Sequence, residues 1–588
     1  MAYIEQSEVL DLEGKMSSDP SVLGKIYKSK KKKFYEKNVD HNLVEEFLLE
    51  GWEEYGTPLK TKTRLRKPKT HSDQFEDDIW CQMYDLGFRH LNLDRHFCLP
   101  FGRLPDEKKQ IDVIAVHEDI VLLIECKSSE KPRRAPSYKT EFEALGRRLA
   151  GHNKCIAQMF GKEKRIKYIF ATRNIRLSRD SVDIKRLLES NGFFYNDNTY
   201  DYVVSLTKNY KKASHYQFLG MLFKGQSINS QRIEVPAIEG KMGDETYYMF
   251  SLEPHLLLKL GFVLHRTRAN EAEMPTYQRL LVPSRLKGIG KFISDGGYFP
   301  NSVILNFSER KRQKVQFEGA ARGAHSRSRA GVLKIPNAYA VAYIIDGQHR
   351  VYGYSHSEFK NTNTIPVVAF TNLESSKQLE MFMNINENQK AVSPTLRITL
   401  EEDLYWNATR LDSRMKALRS SIISTLGGDQ SGPLFGHISL GEDRANLQAK
   451  PFAEALLRCG LLPEAKGNKF TGEGKNLSLY DVRVTEYKDE MLSAKKRVVA
   501  LLNNCYELAE EILSSHTDVL HSFVLSNKGT FAFISLVGSV FLHENQRNDI
   551  SLSVSDEERF SYIEGYLIVL FDALKNLDDE LADYLLGK

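Results

Sequence analysis

Cysteine is scarce and scattered in this chain of 588 residues: Cys81, Cys98, Cys126, Cys155, Cys459 and Cys505, with no Cys-x-x-Cys pair. That spacing argues against a disulfide frame or a thiolate zinc site and fits reduced thiols in a cytoplasmic protein. Long apolar runs are missing too. The longest, Phe531 to Leu542, is interrupted by Ser535, Gly538 and Ser539 and falls short of the roughly 20 residues a membrane helix needs. A buried helix is expected there, and no membrane partner. The opening MAYIEQSEVLDLEGK is acidic and has no apolar h-region, unlike a secretory signal peptide. A strong charge of one sign is also lacking. The net charge of +5 permits a nucleic-acid partner without demanding one, so local clustering carries the information.

What remains is an ordinary globular composition, 41% hydrophobic and 27% charged. The chain is too long for one core, and two to four domains are expected. Residues 1–70 read as a basic accessory arm with a helical extension. Lys28 to Lys33 is almost continuously basic, and Thr57 to Thr70 holds six basic residues and no acid. Such a stretch is either a solvated linker or a flexible arm that contacts phosphates. From His71 to about residue 215 the order reads αββαβ. Asp73 and Glu76 suggest a capped helix closed by Gly87. Strand-like runs follow at Gln110–Val116 and Val121–Lys127, then a helix over Glu141–Phe160 and a strand over Ile166–Ala171. A second α/β unit is expected over 225–400, and a helical region over 401–588.

The segment QIDVIAVHEDIVLLIECKSS (residues 110–129) predicts a hairpin with Glu118 and Asp119 at its tip. Stepping outward from His117 opposite Ile120 places Asp112 opposite Glu125. Side chains alternate along a strand, so Lys127 shares the Glu125 face and Cys126 points away. Two facing carboxylates are costly unless a cation lies between them. Hard oxygen ligands suit Mg²⁺, or Mn²⁺ in its place, and the ammonium can steady a pentavalent phosphate.

These residues resemble the PD-(D/E)xK nuclease superfamily, including its Mrr and restriction-endonuclease-like branch. The likeness takes in Glu76 on the upstream helix, Asp112, the Glu125-x-Lys127 strand, and Gln158 on the following helix. It departs from the pattern at Ile111, where many members carry proline. The resemblance implies an αβββαβ domain, a catalytic set of Glu76, Asp112, Glu125, Lys127 and Gln158, and a metal on Asp112 and Glu125. The competing reading is a surface carboxylate pair bridged to a lysine. His71, His90, His96, His117 and His152 are assigned no ligand role. Lys131, Arg133, Arg134 and Lys139 either flank a scissile backbone or form a solvated loop.

A second motif follows in AYAVAYIIDGQHRVYGYSHSE (residues 338–358): an apolar strand, a turn and a helix start. Asp346 ends the strand and Gly347 permits the turn. Gln348, His349 and Arg350 then lie at a helix N-terminus, where N–H groups and Arg350 suit a phosphate. Asp346 as a simple helix cap is the alternative. The motif resembles the DGQHR-domain family, which includes DndB of DNA phosphorothioation systems and is more distantly like ParB and sulfiredoxin. The likeness extends through VPAIEGKMGDETYY (235–248), Tyr277-Gln278-Arg279 with Arg285, YFPNSVILNF (298–307) and FMNINENQKAVSP (382–394). It implies a ParB/sulfiredoxin-like α+β domain in which Asn386, Asn388 and Gln389 join the turn in contacting a nucleotide.

Together the two resemblances imply a Mg²⁺-dependent DNA endonuclease coupled to a nucleotide- or DNA-sensing domain. The setting would be prokaryotic phage defence or DNA modification–restriction. DNA is the expected partner, with a nucleoside triphosphate as a second ligand. Self-association or other defence-system subunits are further partners. Two rivals stand beside this: a DndB-like DNA-binding regulator, and a nucleotide-hydrolysing component of a base-modification pathway.

Overall fold

The computed structural model describes residues 3–177, 181–228, 230–265, 280–310, 313–321, 326–387, 394–441 and 445–577. It is a mixed α/β molecule with a helical C-terminal region. Tyr277, Gln278, Arg279, Asn388, Gln389 and the side chain of Asn386 lie outside what it describes.

The basic arm is folded rather than flexible. Lys62–Pro68 is the central strand of a three-stranded sheet, between Phe34–Asp40 and Glu53–Glu54. Val39, Val44 and Leu65 form its small core, with Phe47 and Trp52 packed alongside. Lys69 and Lys30 both reach the buried Asp77 carboxylate, at 2.8 and 2.6 Å. The Pro20–Lys30 helix is capped by Asp19 and buries Leu23 in the main core. Met16–Ser17 pairs with His90–Asn92 as a sheet edge. Basic composition here therefore conceals a structural role, because several of the cations have buried or cross-strand partners.

Helix His71–Asp85 begins one turn earlier than Asp73 suggested. Thr70 is its cap, and Asp73 completes the capping box as the third helical residue. Gly87 closes it at φ 104°. The six-stranded sheet then runs in the order 16–17, 90–92, 113–117, 120–134, 165–176, 192–195. Its first four strands are antiparallel to one another and the last two join in parallel. Between Ile120–Arg134 and Arg165–Arg176 the chain crosses through the long helix Lys139–Phe160. From His71 to Arg176 the helices and main-sheet strands read αβββαβ, with a separate two-stranded pair, Cys98–Pro100 and Lys108–Gln110, inserted after the first strand; the main sheet has one strand more than the apolar pattern showed. The extra strand, His90–Asn92, is three residues long, too short to display a period.

Helices Asp197–Tyr210 and Ser214–Phe223 lead to an eight-stranded mixed sheet. Its central strands include Val303–Phe307, Ala342–Asp346 and Ile365–Thr371. One apolar cluster runs from Ile79, Leu122 and Ile124 through Tyr210 and Phe218 to Leu305, Ile344 and Val367, so the two sheet-bearing regions share a core. A separate cluster holds together the helices Leu411–Gly428, Ala449–Arg458, Tyr487–Leu513, Asn527–Asn548 and Asp556–Lys575. Among the described residues no helix is long and apolar enough to cross a membrane. All six cysteines are unpaired.

Candidate metal centre and DGQHR turn

The hairpin register is the one alternation predicts. His117 pairs with Ile120 and Val113 with Ile124, so Asp112 stands beside Glu125 one step further out. Strand pairing stops there. On the opposite edge, toward strand 90–92, the buried Asn92 side chain takes the place of backbone partners: its Nδ2 donates to the Asp112 carbonyl (3.1 Å) and its Oδ1 accepts from Ile114 N–H (3.1 Å). This side-chain clasp frees Asp112 from the regular strand. Its Oδ2 accepts from Cys126 N–H at 2.7 Å, and the carboxylate is held across the strand end.

Glu125 is buried, at 3% exposure, and not on an open cleft wall. Its Oε1 accepts from Lys127 Nζ at 2.6 Å and Lys109 Nζ at 3.1 Å. Its Oε2 is buried without a hydrogen-bond partner, which is a costly state for a carboxylate oxygen. Burial and the neighbouring Glu125 push the Asp112 carboxyl up to about 7, against the pull of the Cys126 N–H. Burial opposes the Lys127 ammonium, yet Glu125 and Asp112 raise its pKa above the ordinary lysine value. The lysine is therefore cationic at neutral pH.

Glu76 faces the same region and adds to the raised pKa of Asp112, but Arg95 holds it at 3.3 Å. Burial lifts its own pKa, with Arg95 opposing. The structure does not bring Gln158 to this cluster. Its Oε1 accepts from Ile4 N–H at 2.9 Å and its Nε2 donates to the Ile4 carbonyl at 3.1 Å. The amide pins the N-terminal segment to the long helix, a partner 154 residues away that no local pattern announces. Lys109 and Glu141 were missed by sequence reasoning and belong to the cluster, 3.8 Å apart. A weak signal existed for Glu141: it is the acid in the first turn of the helix after the Glu-x-Lys strand.

Among the described residues no group of three His, Cys, Asp or Glu side chains is arranged to enclose a metal. Two carboxylates with one unpartnered buried oxygen nevertheless fit a Mg²⁺-type ion, which keeps several waters and takes one or two carboxylates plus substrate phosphate.

The DGQHR turn is built as its sequence predicts. Asp346 ends the strand Ala342–Asp346, Gly347 takes φ 94°, and Gln348–Gly353 is a short helix. A Cβ on Gly347 would lie 2.9 Å from Val303 Cγ2 and 3.0 Å from Arg350 Nη2, so space as well as φ calls for glycine. Arg350 is engaged internally. It pairs with Asp346 at 2.7 Å and donates to the carbonyls of Asn301 (2.6 Å) and Ser302 (3.1 Å). Gln348 accepts from Tyr210 OH at 3.3 Å. His349 Nε2 is buried without a partner, and burial beside Arg285 lowers this histidine to about 4. It is neutral at physiological pH.

Residues 235–411 match the model of a family described as DndB, DNA-sulfur modification-associated. No curated protein and no solved structure matches the chain. The matched segment includes the DGQHR turn and excludes the Asp112–Glu125 cluster.

Proposed function

We propose that this chain is a metal-dependent DNA endonuclease whose cleavage is directed by its DndB-like region, in DNA sulfur modification and restriction or in phage defence. The observation that carries the reading is the Glu125 carboxylate, buried beside Asp112 with an unpartnered Oε2 and Lys127 at hand. The αβββαβ order around it supports a restriction-endonuclease-like fold, and the match over 235–411 supports a link to DNA sulfur modification.

A divalent cation on Asp112 and Glu125, Mg²⁺ or Mn²⁺, would supply a polarised phosphate and a water of lowered pKa. The chain's own residues do the rest. Asp112 is fixed by Cys126 N–H, so the second carboxylate is preorganised. Lys127 turns from Glu125 toward the non-bridging oxygens of a scissile phosphate and offsets the charge that builds there. Lys109 remains to neutralise Glu125. Glu76, held by Arg95, acts on Asp112 through its charge and is not a metal-enclosing acid.

A second reading places a nucleotide at the DGQHR turn, and the unpartnered His349 Nε2 beside Arg285 favours it. A plasmid-nicking assay with and without Mg²⁺ or Mn²⁺, in the absence and presence of ATP, GTP and CTP, separates the readings. Metal-dependent nicking supports the endonuclease. Nucleotide hydrolysis without nicking supports the base-modification alternative. DNA binding with neither activity supports a regulator.

A further inference from the structure

Where the two sheet-bearing regions meet, away from both motifs, lies a cavity of about 340 Å³. Its walls come from both sides of the seam. The 113–134 hairpin contributes His117 and Glu118, helix Ser214–Phe223 contributes His215, and the second region contributes Lys259, His356 and Lys360. Neither Asp112, Glu125 and Lys127 nor Asp346 to Arg350 lines it.

The lining is strongly cationic. Arg89, Lys212, Lys259 and Lys360 face a single acid, Glu118, which lies 3.7 Å from Lys259. Lys212 and Lys360 make no ion pair with a carboxylate among the described residues, and both stand close enough to His356 to help burial lower its pKa. Below them His215 is 7% exposed. It is bonded to the backbone of Leu86, while its Nδ1 has no hydrogen-bond partner. The His117 and His215 rings lie 4.0 Å apart between centroids. Leu86, Leu219 and the rings of Tyr216 and Tyr339 complete the wall.

Four cations around one acid leave positive charge unbalanced, and a phosphate would balance it, with a P–OH donating to His215 Nδ1, the acceptor nitrogen of a neutral ring whose other nitrogen donates to the Leu86 backbone. The cavity is within the size range of small-molecule sites and is too small for a duplex. We propose that this seam cavity binds the phosphate group of a small phosphorylated molecule, gripped by Lys212 and Lys360 with His215 behind it. Because both regions supply the walls, occupancy stabilises their docking by mass action. The inference is independent of the endonuclease reading.

The test is calorimetric titration of inorganic phosphate and of AMP into the full chain, paired with amide hydrogen exchange. The wild type should bind, and the Lys212→Ala/Lys360→Ala variant should bind about a hundredfold more weakly, roughly tenfold for each charge-assisted bond. Lys212 is exposed and Lys360 half-exposed, so the variant should fold. Ligand should slow exchange in residues 115–121, 214–223 and 354–361 together. Tighter binding of AMP supports a phosphorylated ligand, and equal binding supports the site with free phosphate as its occupant. The proposal is overturned if neither probe binds the wild type or if the double variant binds equally well. Protection confined to residues 346–350 would also overturn it.

Discussion

The carboxylate cluster and the DGQHR turn are both strand-end constellations of charged residues, yet they balance their charge in opposite ways. At the turn, both terminal nitrogens of Arg350 are engaged by Asp346 and two carbonyls. At the hairpin, one oxygen of Glu125 is left without a partner, and the neighbouring Asp112 is lifted to about 7. A charged pair that satisfies itself holds the fold together, leaving at the turn only the neutral His349 Nε2 unpaired, whereas a carboxylate oxygen kept buried and unpaired bears a larger cost in stability that a ligand can relieve.

The sharpest way to break this contrast is to disable the cluster. Glu125→Ala and Lys127→Ala should each lower metal-dependent nicking by on the order of 10²–10³-fold or more. Circular dichroism should remain that of the wild type. Nicking at the wild-type rate by either variant would remove the cluster from the mechanism.

Asp112→Asn should separate stability from function. The folded Asp112 pKa near 7 lies above the unfolded value of about 3.9. The unfolded state therefore binds fewer protons between these values, so stability falls as pH rises across that interval and levels off above it. In the metal-free chain the substitution should remove that dependence and stabilise the protein by about 4 kcal/mol at pH 8. Urea denaturation at pH 5 and pH 8 reads the difference. A variant less stable than wild type at pH 8 would contradict the account.

Arg350→Ala should do the reverse at the turn. Loss of an Arg350 free to meet a phosphate would weaken only ligand binding and leave stability almost unaltered. The three bonds that Arg350 makes predict a loss of about 2 kcal/mol, visible as a lowered urea midpoint. An unchanged midpoint would return Arg350 to the role of a free phosphate donor.

How much of this was legible depended on how far away the partners lie. The Asp112–Glu125 pairing could be read because alternation on two adjacent apolar strands fixes register within a few residues. The DGQHR turn could be read because glycine, strand end and helix start are contiguous. Gln158 was misread because its partner, Ile4, lies 154 residues away. The arm was misread because Lys69 is held by Asp77 and Leu65 lies in a small core, neither of which a count of basic residues reveals. The buried Asn92 clasp left no periodic trace at all.

The smallest expected effect concerns that arm. Only its unburied cations remain available to DNA, so Lys60→Ala/Lys62→Ala/Arg64→Ala should flatten the dependence of log K on log salt by up to about 2.7, some 0.9 per phosphate contact. Lys69, buried on Asp77, should not be substituted in this comparison, since its loss would perturb the fold. An unchanged slope in a binding titration would make the strand purely structural.

Cation binding by the full chain tests the central claim most directly, with Mn²⁺ as the probe and electron paramagnetic resonance as the readout. The wild type should take up Mn²⁺ at a site competed by Mg²⁺. Asp112→Asn/Glu125→Gln should lose that site, and Arg350→Ala should keep it. Absence of the site from the wild type, or its survival in the double variant, would contradict the assignment of Asp112 and Glu125 as a metal centre.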